Sequence, residues 1–185
     1  MLNTTEGRIL MRWWQSLMLS ESELQKIDEN LRPAPSGYKS RLKRAESIDA
    51  AMMQDAFRLL WLKLPEPSVA NADDMERWAV IATTLMFVSP GHQDSLAKAA
   101  GKKRESSDKS VVSEARFARL QAARTPDELL RILRRLLQLV KGKTDPLALA
   151  NNIEQWFNEY QAPRPRQAKH RIIIQWAMDY HRAAK

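Results

Sequence analysis

The chain has 185 residues, enough for one helical domain with a full core or for two small lobes. Its formal net charge of +8 and pI near 9.9 point to an acidic partner, nucleic acid first. The absence of cysteine excludes disulfides, cysteine zinc sites and thiolate catalysis, and favours a reducing, cytoplasmic compartment.

The opening MLNTTEGRILMRWWQSL lacks the basic-then-apolar order of a signal peptide, and no apolar run reaches the ~18 residues of a membrane span. The chain therefore reads as soluble and intracellular, with no membrane partner. Charge is uneven along it. Residues 1–110 hold 16 basic and 15 acidic residues, a net of +1, while residues 111–185 hold 14 and 7, a net of +7. All five glycines and all nine prolines fall between apolar-periodic segments or in their first turns, and period-2 runs and hairpin dipeptides are missing. The fold class is all-α: a multi-helix bundle, read as an N-terminal lobe over residues 1–100, a flexible basic loop over 101–112 and a C-terminal lobe over 113–185.

In chain order, residues 6–19 place Ile9, Trp13 and Leu17 beside Leu10 and Trp14 on neighbouring helical rows. Two adjacent tryptophans point apart on a helix, so one of them is expected to border a partner surface. Ser20 to Glu23 restarts a helix with a capping-box pattern, and Arg32 to Gly37 ends it. The basic run Lys39, Arg41, Lys43 and Arg44 follows, and fits either a solvated turn or a phosphate contact. Ile48 to Leu64 reads as a core helix through Phe57, Leu60, Trp61 and Leu64. Asn71 is a candidate cap for a helix to Val88, with Asp73, Asp74 and Glu76 in its first turn, where they complement the helix dipole. One or two helical turns follow Gln93. GKKRESSDKS then has no apolar pattern and is expected to be a mobile loop, its Lys102, Lys103 and Arg104 either solvated or sweeping a nucleic-acid backbone.

The best-specified stretch runs from Ser113 to Val140. Its first helix offers Phe117 and Leu120 to a core and carries Arg116 and Arg119 three residues apart, as neighbours in space. The second starts at Thr125-Pro126-Asp127-Glu128, where Thr125 caps, Pro126 fits the first helical position and Glu128 can complete a capping box. Leu129, Leu133, Leu136, Leu137 and Val140 then share one face, opposite Arg131, Arg134, Arg135 and Gln138. Asp145-Pro146 opens the next helix, with Leu149, Ile153, Trp156, Phe157 and Tyr160 as its buried stripe. Pro163-Arg164-Pro165-Arg166 breaks it, and a last helix turns Ile172, Ile173, Trp176 and Tyr180 inward. Arg166, Lys169, His170 and Arg171 gather at its start, the end of a helix where cations are unfavourable, so a bound anion is one reason to tolerate them there.

No catalytic constellation is evident. His92, His170 and His181 lack metal-ligand spacing, and neither a phosphate-cradling glycine loop nor a nucleophile elbow occurs. No cofactor and no metal is expected. Trp61, Trp78, Trp156 and Trp176 lie on apolar stripes and read as core, not as stacking platforms.

In order, the motifs W-W-x-x-L from Trp13, R-L-K-R-A from Arg41, S-L-A-K-A-A from Ser95, S-E-A-R-F-A-R-L from Ser113, L-L-R-I-L-R-R-L-L from Leu129 and W-A-x-D-Y from Trp176 resemble the CasB family, the small subunit of the type I-E CRISPR surveillance complex, Cascade. The resemblance spans nearly the whole chain and departs at GKKRESSDKS and PRPRQAKHR. It implies an all-helical, non-enzymatic subunit that pairs with a second copy of itself, joins other Cascade subunits and helps hold crRNA and target DNA while guide pairing reads sequence. Carried over by motif, it makes Arg41, Arg44, Arg116, Arg119, Arg134 and Arg135 candidate phosphate contacts. The reading of the residues themselves adds Arg131, Lys169 and Arg171. Two other functions fit the residues: a helical adaptor docking an acidic protein, and a helix-turn-helix DNA-binding regulator.

Overall fold

The computed structural model describes residues 1–70, 72–105, 107–162, 165 and 167–185. Asn71, read as a cap, and Pro163, Arg164 and Arg166 of the second proline-arginine break lie outside the described residues. Among the described residues the regular structure is helical apart from one two-stranded antiparallel ribbon. It forms two compact units, residues 2–86 and residues 87–185, with Met1 grouped with the second.

The first unit holds α1 (Thr4–Met18), α2 (Glu21–Ile27), α3 (Tyr38–Arg44), α4 (Ile48–Met52), α5 (Asp55–Trp61) and α6 (Ala72–Leu85). Its hub is α6, against which α3, α4 and α5 pack. Trp78, Ala79, Val80, Ile81, Ala82 and Leu85 are fully buried, as are Thr83 and Thr84. Thr84 satisfies its buried hydroxyl within the helix by donating to the Val80 carbonyl at 2.8 Å, whereas the Thr83 hydroxyl has no partner among the described residues.

The two adjacent tryptophans of α1 do diverge, but both are buried. The Trp13 indole donates to the Ala56 carbonyl at 2.8 Å, and that of Trp14 to the Leu85 carbonyl at 3.0 Å. Neither borders a partner surface, because the ~100° between them is filled by two helices of the same unit. The segment from Ile48 to Leu64 is two helices instead of one. Gln54 leaves the helical conformation (φ −83°, ψ 140°), and its side-chain amide donates to the Ala50 carbonyl, occupying an acceptor that the break leaves free.

The second unit holds α7 (Leu96–Gly101), the strands β1 (Lys103–Arg104) and β2 (Ser107–Ser110), α8 (Glu114–Gln121), α9 (Pro126–Leu139), α10 (Pro146–Gln161) and α11 (Ile172–Ala184). The small, buried Ala97, Ala100 and Gly101 let α7 pack on α11. Residues 87–100, assigned from sequence to the N-terminal lobe, thus sit in the second unit. α11 also meets α8 and α10. Tyr180 stacks on Phe117 (4.4 Å between centroids, 15° between planes) and donates its hydroxyl to the Val112 carbonyl at 2.7 Å. The Trp176 indole donates to the Asn152 side chain at 2.9 Å.

Within the GKKRESSDKS segment, expected to be a mobile loop, Lys103–Arg104 and Ser107–Ser110 form a ribbon. Lys103 pairs with Ser110 and Arg104 with Ser107. Its base is closed by Val111 N–H donating to the Lys102 carbonyl and Val112 N–H to the Ala100 carbonyl. Neither strand carries the apolar alternation of a half-buried sheet, because both faces are exposed.

Candidate nucleic-acid interface

The helix pair α8 and α9 is built as its caps and periodicity require. Thr125 accepts from the Glu128 N–H at 3.2 Å. The Glu128 carboxylate accepts from the Arg124 N–H at 2.8 Å, one residue earlier than a capping box would place it. Leu129, Leu130, Leu133, Leu136 and Leu137 are buried, as are Phe117 and Leu120 of α8. Burying a leucine contributes roughly 1.5–3 kcal/mol, so this seam fixes which sides of the two helices face water.

On those sides Arg116, Arg119, Arg131 and Arg135 are all exposed. Arg116, Arg119 and Arg135 line one groove of about 350 Å³, with Ile132, Leu136, Gln138 and Leu139 between them. Among the described residues no carboxylate pairs with any of these three arginines, while seven other basic side chains do have such a partner. Arg131 stands one turn before Arg135 on the same helix but outside the groove lining.

Arg134 departs from the expected pattern. It is half-buried, with its guanidinium 5.4 Å from the centre of the Phe87 ring. Position 134 lies at the edge of the leucine face, so its stem packs while its head stacks on an aromatic ring.

The remaining candidates lie elsewhere. Arg41 and Arg44 are exposed on α3, in the first unit. Arg41 folds back onto its own turn, donating to the Gly37 carbonyl at 3.4 Å and lying over the Tyr38 ring. Lys169 is exposed in a 3-10 turn, Ala168–His170, that precedes α11. Arg171 is half-buried and donates to the Pro165 carbonyl at 2.9 Å, tying down the chain before the helix. The basic cluster thus stands ahead of α11 and not in its first turn. At the start of α11 itself the Glu159 carboxylate accepts from the Ile172 N–H at 2.8 Å, an anion at the end of the helix where the dipole favours one.

Tyr160, expected in a buried stripe, is 52% exposed and lies flat on Trp156 (5.1 Å, 9°). Lys141 and Lys143, between α9 and α10, carry no signal in the sequence pattern. They join the ribbon's basic residues around a second cleft. Only proximity in the fold unites them, since about forty residues separate the two groups. No group of three or more His, Asp or Glu that could hold a metal occurs among the described residues, and no described helix is long and apolar enough to cross a membrane.

Charge follows the division into units. Residues 2–86 hold 11 basic and 12 acidic residues, a net of −1, and residues 87–185 hold 19 and 10, a net of +9. Fold and surface together define a small all-helical protein whose second unit displays cations along a helix pair. The chain matches CRISPR-associated protein Cse2 over residues 39–181 and belongs to that family, the CasB small subunit of type I-E Cascade. The match takes in every motif named above except W-W-x-x-L. No curated protein and no solved structure matches the chain.

Proposed function

We propose that this Cascade small subunit grips nucleic-acid backbone, without reading bases, in the groove between α8 and α9, and so stabilises crRNA-guided target DNA in the opened R-loop. One observation carries the reading: Arg116, Arg119 and Arg135 converge from two consecutive helices on one concave surface, with no carboxylate paired to them among the described residues. Arginine forks suit phosphate oxygens, and contacts made to phosphates position a duplex or strand while leaving its sequence to guide pairing. The subunit acts in the cytoplasm, without catalysis, beside a second copy of itself and other Cascade subunits; the family supports this setting.

A helix-turn-helix regulator fits less well. The first turn of α9, where a recognition helix reads bases, carries Asp127 and Glu128, which repel phosphates. The test is fluorescence anisotropy of the triple variant Arg116→Ala, Arg119→Ala, Arg135→Ala against labelled DNA over a salt series. Affinity should fall similarly for unrelated sequences, and the log–log salt slope should flatten by about 2–3 units. A variant with wild-type affinity and slope removes the groove from the interface and leaves the adaptor reading in the lead.

A further inference from the structure

We propose that the arginine groove does not end at α9 but runs on, past the last turn of that helix, into a second phosphate-binding cleft under the β-ribbon, forming one track for a flexible single strand. This rests on the groove being a nucleic-acid interface. The link between the two is Leu139, which lines both. The cleft measures about 650 Å³ and receives Lys102, Lys103 and Arg104 from the ribbon side and Lys141 and Lys143 from the turn after α9. Two carboxylates line it as well. Asp94 is taken by Lys102, and Glu105 stands exposed at the ribbon. Lys103 in turn pairs with Asp108 at 3.6 Å, so five cations stand against three carboxylates and the cleft keeps a net positive charge.

The turn that presents Lys141 and Lys143 is fixed, not loose. Lys141 has φ 55°, the only non-glycine residue with positive φ among those described, and Gly142 follows with φ 70°. A non-glycine residue in this region is strained and persists only where its surroundings impose it. Here they do. The Gly142 N–H donates to the Leu137 carbonyl at 2.8 Å, the Ser89 N–H donates to the Gly142 carbonyl at 2.9 Å, and the Ser89 hydroxyl donates to the Lys141 carbonyl at 3.2 Å. The Asp145 N–H and the Thr144 hydroxyl both donate to the Asp94 carbonyl, at 2.8 and 2.9 Å. Strained backbone thus aims two exposed lysines, neither in an ion pair among the described residues, at the mouth of a cleft that continues the arginine groove. A path that rounds the end of a helix suits a single strand, because a duplex stays stiff over ~50 nm.

The test measures anisotropy of labelled oligothymidylates of about 4 and about 16 nucleotides, bracketing common single-strand site sizes, and of a duplex, against the full chain. One variant is Lys141→Asn with Lys143→Ala, chosen because asparagine tolerates left-handed backbone; a second is Lys103→Ala with Arg104→Ala. Circular dichroism checks that each folds. Both should weaken binding of the long strand about tenfold and flatten its salt slope by up to ~1.4 units, with little effect on the short strand or the duplex. Wild-type behaviour of both variants on the long strand overturns the track while leaving the arginine groove intact. Equal losses on short and long strands make the cleft a separate site, and an equal loss on the duplex overturns the single-strand assignment. The arginine triple variant, measured alongside, reports separately on the groove itself.

Discussion

The guanidinium of Arg134 lies over the ring of Phe87, 5.4 Å from its centre, while the next residue, Arg135, is exposed and lines the groove. Two adjacent arginines therefore do different things. Arg134→Ala loses a cation–π contact and the packing of the stem, and should lower stability by about 0.5–2 kcal/mol in urea denaturation. Arg135→Ala should leave the denaturation midpoint unchanged and weaken DNA binding. Equal stability of the two variants would show that the Phe87 contact contributes nothing.

A second prediction concerns the indole of Trp14, which occupies the Leu85 carbonyl at the end of α6, where no intrahelical donor is available. Trp14→Phe keeps most of the ring but strands that carbonyl in the interior. A loss of about 1–3 kcal/mol is expected, seen as a lowered thermal midpoint. Trp13→Phe, which strands the Ala56 carbonyl, should cost a similar amount. Wild-type melting of either variant would place its indole at a wet surface.

These two cases also mark what was legible in the sequence. Helix starts at Thr125 and Asp145 could be read because a cap and a first-turn proline are local chemistry. The leucine seam of α9 could be read because periodicity is local too. The divergence of Trp13 and Trp14 followed from helical geometry, but what each would meet depended on α5 and α6, remote in sequence. Likewise Glu159 lies thirteen residues before the N–H it accepts, and Lys141 and Lys143 meet the ribbon only through the fold. The pattern places Arg135 opposite the leucine face and makes Arg116 and Arg119 neighbours on α8. Their convergence on one groove, and the diversion of Arg134 to Phe87, required the crossing of α8 on α9.

Lys39 offers a pH-dependent test in the first unit. Partial burial, and then the neighbouring Lys43, hold its ammonium below the ordinary lysine value. A lysine whose pKa is lowered by folding disfavours the folded state while it is charged. That penalty is fully present below the lowered pKa and fades as pH rises toward the value in the unfolded chain. Lys39→Met, which keeps the stem and removes the charge, should therefore raise stability at neutral pH by a few tenths of a kcal/mol, about the size of one like-charge helix pair. Thermal melts should show the gain shrinking as pH approaches the ordinary lysine range. A gain that is constant with pH would point to packing and not charge.

Gly142 and Gly91 separate two reasons why an alanine can be harmful. Both have left-handed backbone, with φ of 70° and 85°, so either substitution carries the conformational penalty of about 1–2 kcal/mol. Their surroundings differ. A Cβ on Gly91 would meet nothing within 4 Å, whereas on Gly142 it would lie 2.4 Å from the Phe87 carbonyl oxygen and 2.8 Å from the Ser89 nitrogen. Backbone atoms cannot yield as a flexible side-chain end can, so relief at Gly142 must break the bonds that tie the turn to Ser89. Gly91→Ala should thus lower the stability of the second unit by about 1–2 kcal/mol. Gly142→Ala should lower it by several kcal/mol, in the range of severe overpacking. Urea denaturation followed by far-UV circular dichroism gives the comparison. Because the same turn presents Lys141 and Lys143, Gly142→Ala should also reduce binding of long single strands where Gly91→Ala does not. Equal effects of the two substitutions on stability would mean that the turn is free to move, and that its lysines are not held in place.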